Sequence, residues 1–560
     1  MPYTIGLDYG TNSVRCLIVD TATGHEVSTA VFNYETGDAG IILDAADHNL
    51  ARQNPADYLK GLQATIQKTL TEAQKIKGFT PENIIGIGVD TTGSTPIPVD
   101  KNGIPLAFSP EFKKNPNANA WLWKDHTAHA EAAEITALAE LTRPHYLAKC
   151  GGTYSSEWFF SKILHCLRAD PTVFDAAHTW VEHSDWLPAV LTGADHPQKL
   201  KRCRCAAGHK ALFNDAWGGF PDAEFLTKLD PRLARLRQTL GDQTFSVDTP
   251  AGKLTKEWAY KLGLPAGIPV AMGAFDAHLG AVGSGIREGV LVKIIGTSTC
   301  DMVVSPSAST LPDIPGICGI VEGSILPGFF GLEAGQSAVG DIFNWFVNYI
   351  QPGGKEAGSH ESLTEKAAKL RPGQSGLLAL DWNNGNRTVL VDQRLTGLLV
   401  GQTLHTSPEE IYRALVEATA FGALTIINRF EEYGVAIAEV VNCGGISEKN
   451  AMLMQIYADV TGREMKIARS GQACALGSAI AGAVVAGKAA GGHDTFAEAQ
   501  KAMCGVKPTT FKPIEANRKT YAELYRLYKQ MHDAFGLKDN SGALGNVMKE
   551  LLNIKDRVNG

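Results

Sequence analysis

No CxxC pair occurs among the ten cysteines, which are scattered at positions 16, 150, 166, 203, 205, 300, 318, 443, 474 and 504. A lone Cys203-Arg-Cys205 without a second pair does not make a structural zinc site. His126 and His129 lack the i,i+4 spacing that puts two imidazoles on one metal. Neither charge dominates, with 52 basic and 59 acidic side chains and a net charge of −7. That balance argues against nucleic acid or an anionic membrane as the main partner. The start, MPYTIGLDYG, carries no basic leader, and the blandest apolar stretch, Ala475 to Ala486, is too short to span a bilayer. These absences lead to the expectation of a soluble, cytoplasmic protein with reduced thiols and small-molecule partners. A homodimer is the default assembly, on the frequency of two-fold oligomers alone.

What is present is an ordinary globular composition, 44% hydrophobic and 20% charged, in 560 residues. Length alone suggests three to four domains at about 150 residues each. Glycine is the outlier, with 58 residues against a usual share of about 7%. Such an excess suggests tight turns and backbone that approaches a ligand closely.

Two β runs, Tyr3–Asp8 and Val14–Asp20, flank the small polar turn Gly10-Thr11-Asn12-Ser13. Amphipathic segments at about 55–77 and 126–141 flank the apolar run Ile84–Asp90, an α/β alternation. A second strand-turn-strand spans Val290–Val304 around Gly296-Thr297-Ser298-Thr299, with the same logic as the opening. This weak internal repeat places a boundary near 275–290 and predicts two lobes, 1–285 and 286–560. Helices are expected over Pro408–Tyr433 and Lys449–Val460, with a strand-turn at Val440–Gly445 between them. From about residue 513 a charged, Tyr-rich helical extension should pack on the surface.

A phosphate ligand needs inward backbone N–H groups, small side chains and often a carboxylate that holds a metal. Asp8 with Gly10, Thr11 and Asn12 offers all three, Gly296 and Thr297 form a second such turn, and Gly444-Gly445 a third. A plain turn accounts for any one of them. Three spread over both halves suggest two lobes clamping a phosphate chain. The competing Gly482…Gly487-Lys488 string is no P-loop, because Ala489 stands where a Ser/Thr is required and the run is helical. Gly86-Ile-Gly88 leads into Val89-Asp90, not into a dinucleotide fingerprint.

Asp276, in Gly273-Ala-Phe-Asp276-Ala-His278, ends an apolar run at the lobe junction. A carboxylate there suits a general base in phosphoryl transfer, although an N-cap of the next helix explains it too. His278 reads as a structural histidine, with a second polar contact as the alternative. Hydroxyl-bonding groups beside aromatic walls, as a polyol requires, occur at Asp90–Ser94, at Trp121–Asp125 and at Ser155–Trp158. Lys210 and Glu333 are charges inside apolar, Gly-containing runs, which calls for a partner or a ligand.

The strings IGLDYGTNS (5–13), GTSTCDM (296–302) and NCGGISEKNAMLMQIYADVTGR (442–463) resemble the phosphate loops and adenosine segment of the FGGY carbohydrate kinases. Thr396–Gly401 followed by EEIYRALVEATAFG resembles that family's second signature region. GVDTTGSTPIPVD, LWKDHTA, GGTYSSEW, AGHKA, GAFDAH, GLEAGQSAVGDI and LALDWNNGNRT are most similar to its ribulokinase branch. The likeness runs from about residue 3 to about 511. It implies the two-lobed, ribonuclease H-like fold of actin and the sugar kinases, with a deep interlobe cleft. It further implies ATP and Mg²⁺ as cofactors and L-ribulose as the phosphate acceptor in L-arabinose catabolism. By this resemblance Asp276 is the catalytic base and Asp8 holds Mg²⁺. Gly10, Thr11, Asn12, Gly296 and Thr297 contact phosphates, and Gly445, Ile446 and Asn450 line the adenosine pocket. Lys210, Glu333 and Asp276 hold the ketopentose, joined by Trp123, Asp125 and Thr92. Where many relatives acting on other sugars carry Gly-Asp-Gln, this chain has Phe275-Asp276-Ala277, which fits the ribulokinase branch. The alternatives are a kinase of D-ribulose, ribitol or another pentitol, and a non-kinase actin-like ATPase.

Overall fold

β-Branched and aromatic residues fill Tyr3–Tyr9 (β1) and Ser13–Asp20 (β2), and both are almost wholly buried in the computed structural model, which describes residues 1–352, 358–537 and 547–559. β1 pairs antiparallel with β2, β2 with Glu26–Asn33 (β3), and Pro55–Ala73 (α1) packs against both β2 and β3. Asn54 caps α1 through Ala56 N, and Pro55 occupies its first turn. Ile84–Thr91 (β4) lies parallel to β1. Farther along the chain come a short helix, Arg204–Lys210 (α2), and three strands, Pro250–Lys253 (β5), Pro269–Ala271 (β6) and Ala274–Phe275 (β7). The sheet order is β5-β6-β4-β1-β2-β3, with β7 also paired to β4. Asp276–Gly283 (α3) leaves β7 directly.

The second half repeats this plan. Val290–Ile295 (β8) and Thr299–Pro306 (β9) form the antiparallel pair, and Gly319–Glu322 (β10) and Phe329–Ala334 (β11) extend it. The long helix Pro408–Glu432 (α4) begins at a capping box of Ser407 and Glu410. Glu439–Cys443 (β12) runs parallel to β8, as β4 does to β1. It leads into Gly445–Lys449 (α5) and Ala451–Thr461 (α6), then Met465–Ala468 (β13). Ala473–Ala486 (α7), Val506–Phe511 (β14), Glu515–Gly536 (α8) and Val547–Asn559 (α9) complete the chain. Among the described residues no helix is long and apolar enough to cross a membrane.

α7 explains much of the glycine excess. It lies on β1 and β4 of the first sheet and against α3. A Cβ at Gly6 would stand 1.8 Å from the Ala475 carbonyl oxygen, and one at Gly88 would stand 1.9 Å from that of Ser478. Between the helices, a Cβ at Gly477 would meet the Leu279 oxygen at 1.8 Å. These are backbone contacts that only glycine permits. The halves therefore share part of their interiors: Leu17, Phe275, Val292, Val441 and Ile480 belong to one continuous apolar cluster.

The Tyr-rich C-terminal extension departs from expectation. α8 is not a surface helix, because Tyr521, Leu524, Leu527, Tyr528 and Met531 are buried in the core of the second half. The Tyr528 hydroxyl donates to Asp381 Oδ1 at 2.9 Å, and Tyr521 donates to Glu417 at 2.9 Å. The tyrosines satisfy buried carboxylates while their rings pack on Phe421. Part of this extension, 538–546, lies outside the described residues.

Candidate active site

Strand register brings three carboxylates together. In the parallel pair β1–β4, Asp8 stands opposite Asp90. In β4–β7, Ala274 stands opposite Asp90 and Phe275 opposite Thr91, so Asp276 follows at the same sheet edge as the first residue of α3. Carboxyl ends of strands are where ligands collect in α/β proteins. Asp8 Oδ2 accepts from Arg15 at 3.2 Å. Asp90 is fully buried; its Oδ2 accepts from Ser478 of α7 at 2.6 Å, and its Oδ1 has no hydrogen-bond partner. Burial and the Asp8 charge raise Asp90 well above the usual carboxylate range. The same two causes push Asp276 up to about 7, although its Oδ1 accepts from Ala277 N at 2.7 Å. The N-cap reading of Asp276 does not hold: Phe275 is the N-cap, and Asp276 is the first helical residue, with its side chain on the wall of a cavity.

That cavity holds about 280 Å³ and is walled by both halves. Lys210, at the last turn of α2, donates to Glu333 of β11 at 2.9 and 3.1 Å, an ion pair across the two halves. Burial works against the charge on Glu333. The Lys210 ammonium and the neighbouring His209 and His278 outweigh it and hold the carboxyl well below its usual range. The Lys210 ammonium also sits 5.2 Å from the Trp158 ring. Trp123 lines the same cavity and donates from Nε1 to Thr11 Oγ1 at 3.0 Å.

A larger cavity of about 1180 Å³ opens on the other side of the β8–β9 turn. Gly296 and Thr297 line both cavities and so stand between them. Gly445, Ile446 and Asn450 line the larger one, and the Asn450 side chain also caps α6 at Leu453 N. Gly444 has φ +94°, and a Cβ there would stand 2.4 Å from the Ile295 carbonyl oxygen, so the β12–α5 turn requires glycine. Gly445 itself faces open space.

The sequence profile of the FGGY carbohydrate-kinase N-terminal domain matches residues 3–283, and that of the C-terminal domain matches 291–486. The chain belongs to the FGGY family of carbohydrate kinases. This FGGY kinase is 43% identical to the ribulokinase of Shouchella clausii, with 100% of this chain and 99% of that one covered. It is also 43% identical to the ribulokinase of Geobacillus thermodenitrificans, covering 99% and 97%. A xylulose kinase structure from Rhodospirillum rubrum shares the fold at TM-score 0.76, with 22% identity and coverage of 95% and 98%.

Two expected sugar contacts of this FGGY kinase lie elsewhere. Asp125 is fully buried and absent from the cavity wall; it pairs with Arg52 and accepts from Ala51 N at 2.7 Å and Thr127 Oγ1 at 2.6 Å. Its charge is spent on bracing the loop. Thr92 turns inward to Thr95 Oγ1 at 3.1 Å, and Gly93 and Ser94 reach the cavity instead. In the first phosphate turn only Thr11 reaches the wall. Gly10 N closes the turn on Ser13 O at 2.9 Å, and the Asn12 side chain donates to Ala39 O at 2.7 Å.

Sequence reasoning missed Arg387 as a cavity residue, gave His278 only second place as a polar contact, and placed Asp90 in a hydroxyl-bonding string without foreseeing the carboxylate cluster. Arg387 stands inside LALDWNNGNRT, a string that carries the family resemblance but in which no residue is singled out for a role. Burial opposes its charge, but Glu157 and Glu333 more than offset this. His209, His278 and Glu333 offer three donor atoms within 4.8 Å of one another. The Lys210 ammonium already bonds both Glu333 oxygens, so the carboxylate has its cation.

Proposed function

We propose that this FGGY kinase transfers the γ-phosphoryl group of ATP to the terminal hydroxyl of L-ribulose, giving L-ribulose 5-phosphate and ADP in L-arabinose catabolism. The observation that carries the reading is the position of Asp276. Asp276 lies on the wall of the cavity that also holds the Lys210–Glu333 pair, together with Gly296 and Thr297, which line the larger cavity as well. The full-length relatives named ribulokinase supply the choice of acceptor.

In this reading the adenosine occupies the larger cavity against Gly445, Ile446 and Asn450, and its phosphates reach past Gly296 and Thr297. The Gly10–Asn12 turn faces them from the first half. The ketopentose lies in the smaller cavity between Trp123 and the Lys210–Glu333 pair. Asp276 accepts the hydroxyl proton as oxygen attacks the γ-phosphorus in line. Its elevated proton affinity, near neutrality, suits a base that must take a proton and later release it. Walls from both halves exclude water and limit wasteful hydrolysis of ATP.

Mg²⁺ fits the residues present, because a hard cation takes carboxylate oxygens and Asp90 Oδ1 is buried without a partner beside Asp8. Asp8, with Asp90 behind it, would hold the ion, which supplies neutralisation of phosphate charge when bound. The test is ADP release measured over pentuloses, pentitols and glycerol. Strong stimulation by L-ribulose above the other sugars supports the reading. Hydrolysis indifferent to sugar would overturn it.

A further inference from the structure

Behind the Lys210–Glu333 pair, two histidines are 1% exposed, and their roles follow from the hydrogen bonds around them. His209 Nε2 lies 2.9 Å from Ser324 Oγ, which also reaches the Val321 carbonyl at 3.0 Å, and its Nδ1 stands 3.4 Å from Glu333 Oε2. His278 packs edge-on against this ring, with centroids 4.6 Å apart. Neither of its own ring nitrogens has a partner, yet it lines the cavity. Its Nε2 lies 3.8 Å from the same Glu333 Oε2.

A buried imidazole with both nitrogens unused is costly, and one of them faces an acceptor too far away to bond. A single oxygen seated about 2.8 Å from each atom spans that gap. It must accept from the imidazole N–H and donate to the carboxylate, and a hydroxyl group does both. A keto oxygen cannot donate, and a methylene can do neither. Lys210, fixed on the far side of the carboxylate, keeps Glu333 ionised and so acceptor-only.

We propose that His278 Nε2 and Glu333 Oε2 form a notch that reads one secondary hydroxyl of the sugar, so that His278 is a substrate-contacting, specificity-determining residue. The proposal rests on the sugar-kinase reading above and names one polar contact of that site.

The experiment is a substrate–variant cycle. Wild type, His278→Leu and His278→Gln are assayed for ADP release with L-ribulose and its monodeoxy analogues. His278→Leu should raise the KM for L-ribulose at least tenfold while leaving the KM for ATP within twofold. For the one analogue that lacks the read hydroxyl, the penalty should disappear. His278→Gln, which keeps an N–H donor, should recover part of the loss. Equal losses on L-ribulose and on every deoxy analogue, or an unchanged sugar KM, would overturn the proposal. If His278→Leu does not fold, the His278→Gln cycle decides by the same criterion. A wild type that phosphorylates only some other sugar would fail the ribulose reading alone, and the notch would then be judged on that sugar's own deoxy series.

Discussion

Asp125 and His183 show how burial decides what a polar side chain can do. Asp125 sits in a string rich in hydroxyl-bonding and aromatic groups, yet its carboxylate is committed to Arg52, which also stacks 3.3 Å from the Trp121 ring centroid. Removing one member of a buried ion pair leaves the other charged without compensation, at a cost of about 3–5 kcal/mol. Asp125→Asn should lose stability on that scale in denaturant unfolding, while the folded enzyme keeps a sugar KM within twofold of wild type. A large KM effect without loss of stability would restore Asp125 as a sugar contact. His183 is stacked on Tyr58 at 3.7 Å, and burial alone lowers its pKa to about 3. Its folded pKa lies below the unfolded value of about 6.5, so the unfolded state binds the extra proton. The stabilisation is therefore complete above pH 6.5 and is lost as pH falls towards 3, by up to about 1.4 kcal/mol per pH unit. His183→Phe should gain stability relative to wild type by about that slope between pH 6.5 and 4. A constant difference across that window would contradict the assignment.

At the level of elements, local pattern was a good guide and contact between elements a poor one. The strands that flank the Gly10 and Gly296 turns and the long helix α4 were legible because alternation, caps and turn residues act within a few positions. The register that sets Asp90 opposite Asp8 was not legible, since nothing local states which strands become neighbours. For the same reason α8 read as a surface helix. Its tyrosines look polar in sequence, and only the fold reveals Asp381 and Glu417 waiting for their hydroxyls. Glycine was read too narrowly as a sign of bound phosphate. Gly444 is required by the turn against the Ile295 carbonyl, and Gly6 and Gly88 serve α7. Gly88→Ala would force a methyl group into the Ser478 carbonyl, which cannot yield without moving the helix. Overpacking of this kind costs about 1–3 kcal/mol. Because Ser478 also bonds Asp90, turnover should fall together with the unfolding midpoint. A variant with wild-type stability would contradict the packing account.

For the whole molecule, the two halves repeat one sheet plan and meet in a shared apolar cluster, so the length prior of three to four domains overstated the division. The cavities follow from that meeting. One is walled by both halves, with Lys210 from the first bonded to Glu333 of the second, and it shares Gly296 and Thr297 with the larger cavity. Asp276, at the first sheet's edge, lies on the wall of the smaller cavity, past which a phosphoryl group passing from nucleotide to sugar would have to travel. The central claim is that Asp276 accepts the sugar proton at that point. General-base catalysis contributes roughly 10²–10⁴-fold. The most direct test is the turnover of Asp276→Asn with L-ribulose, measured beside its ATP affinity and thermal midpoint. The account predicts a fall in kcat of about 10²–10⁴-fold, with ATP binding and folding near those of wild type; turnover close to the wild-type rate would contradict it.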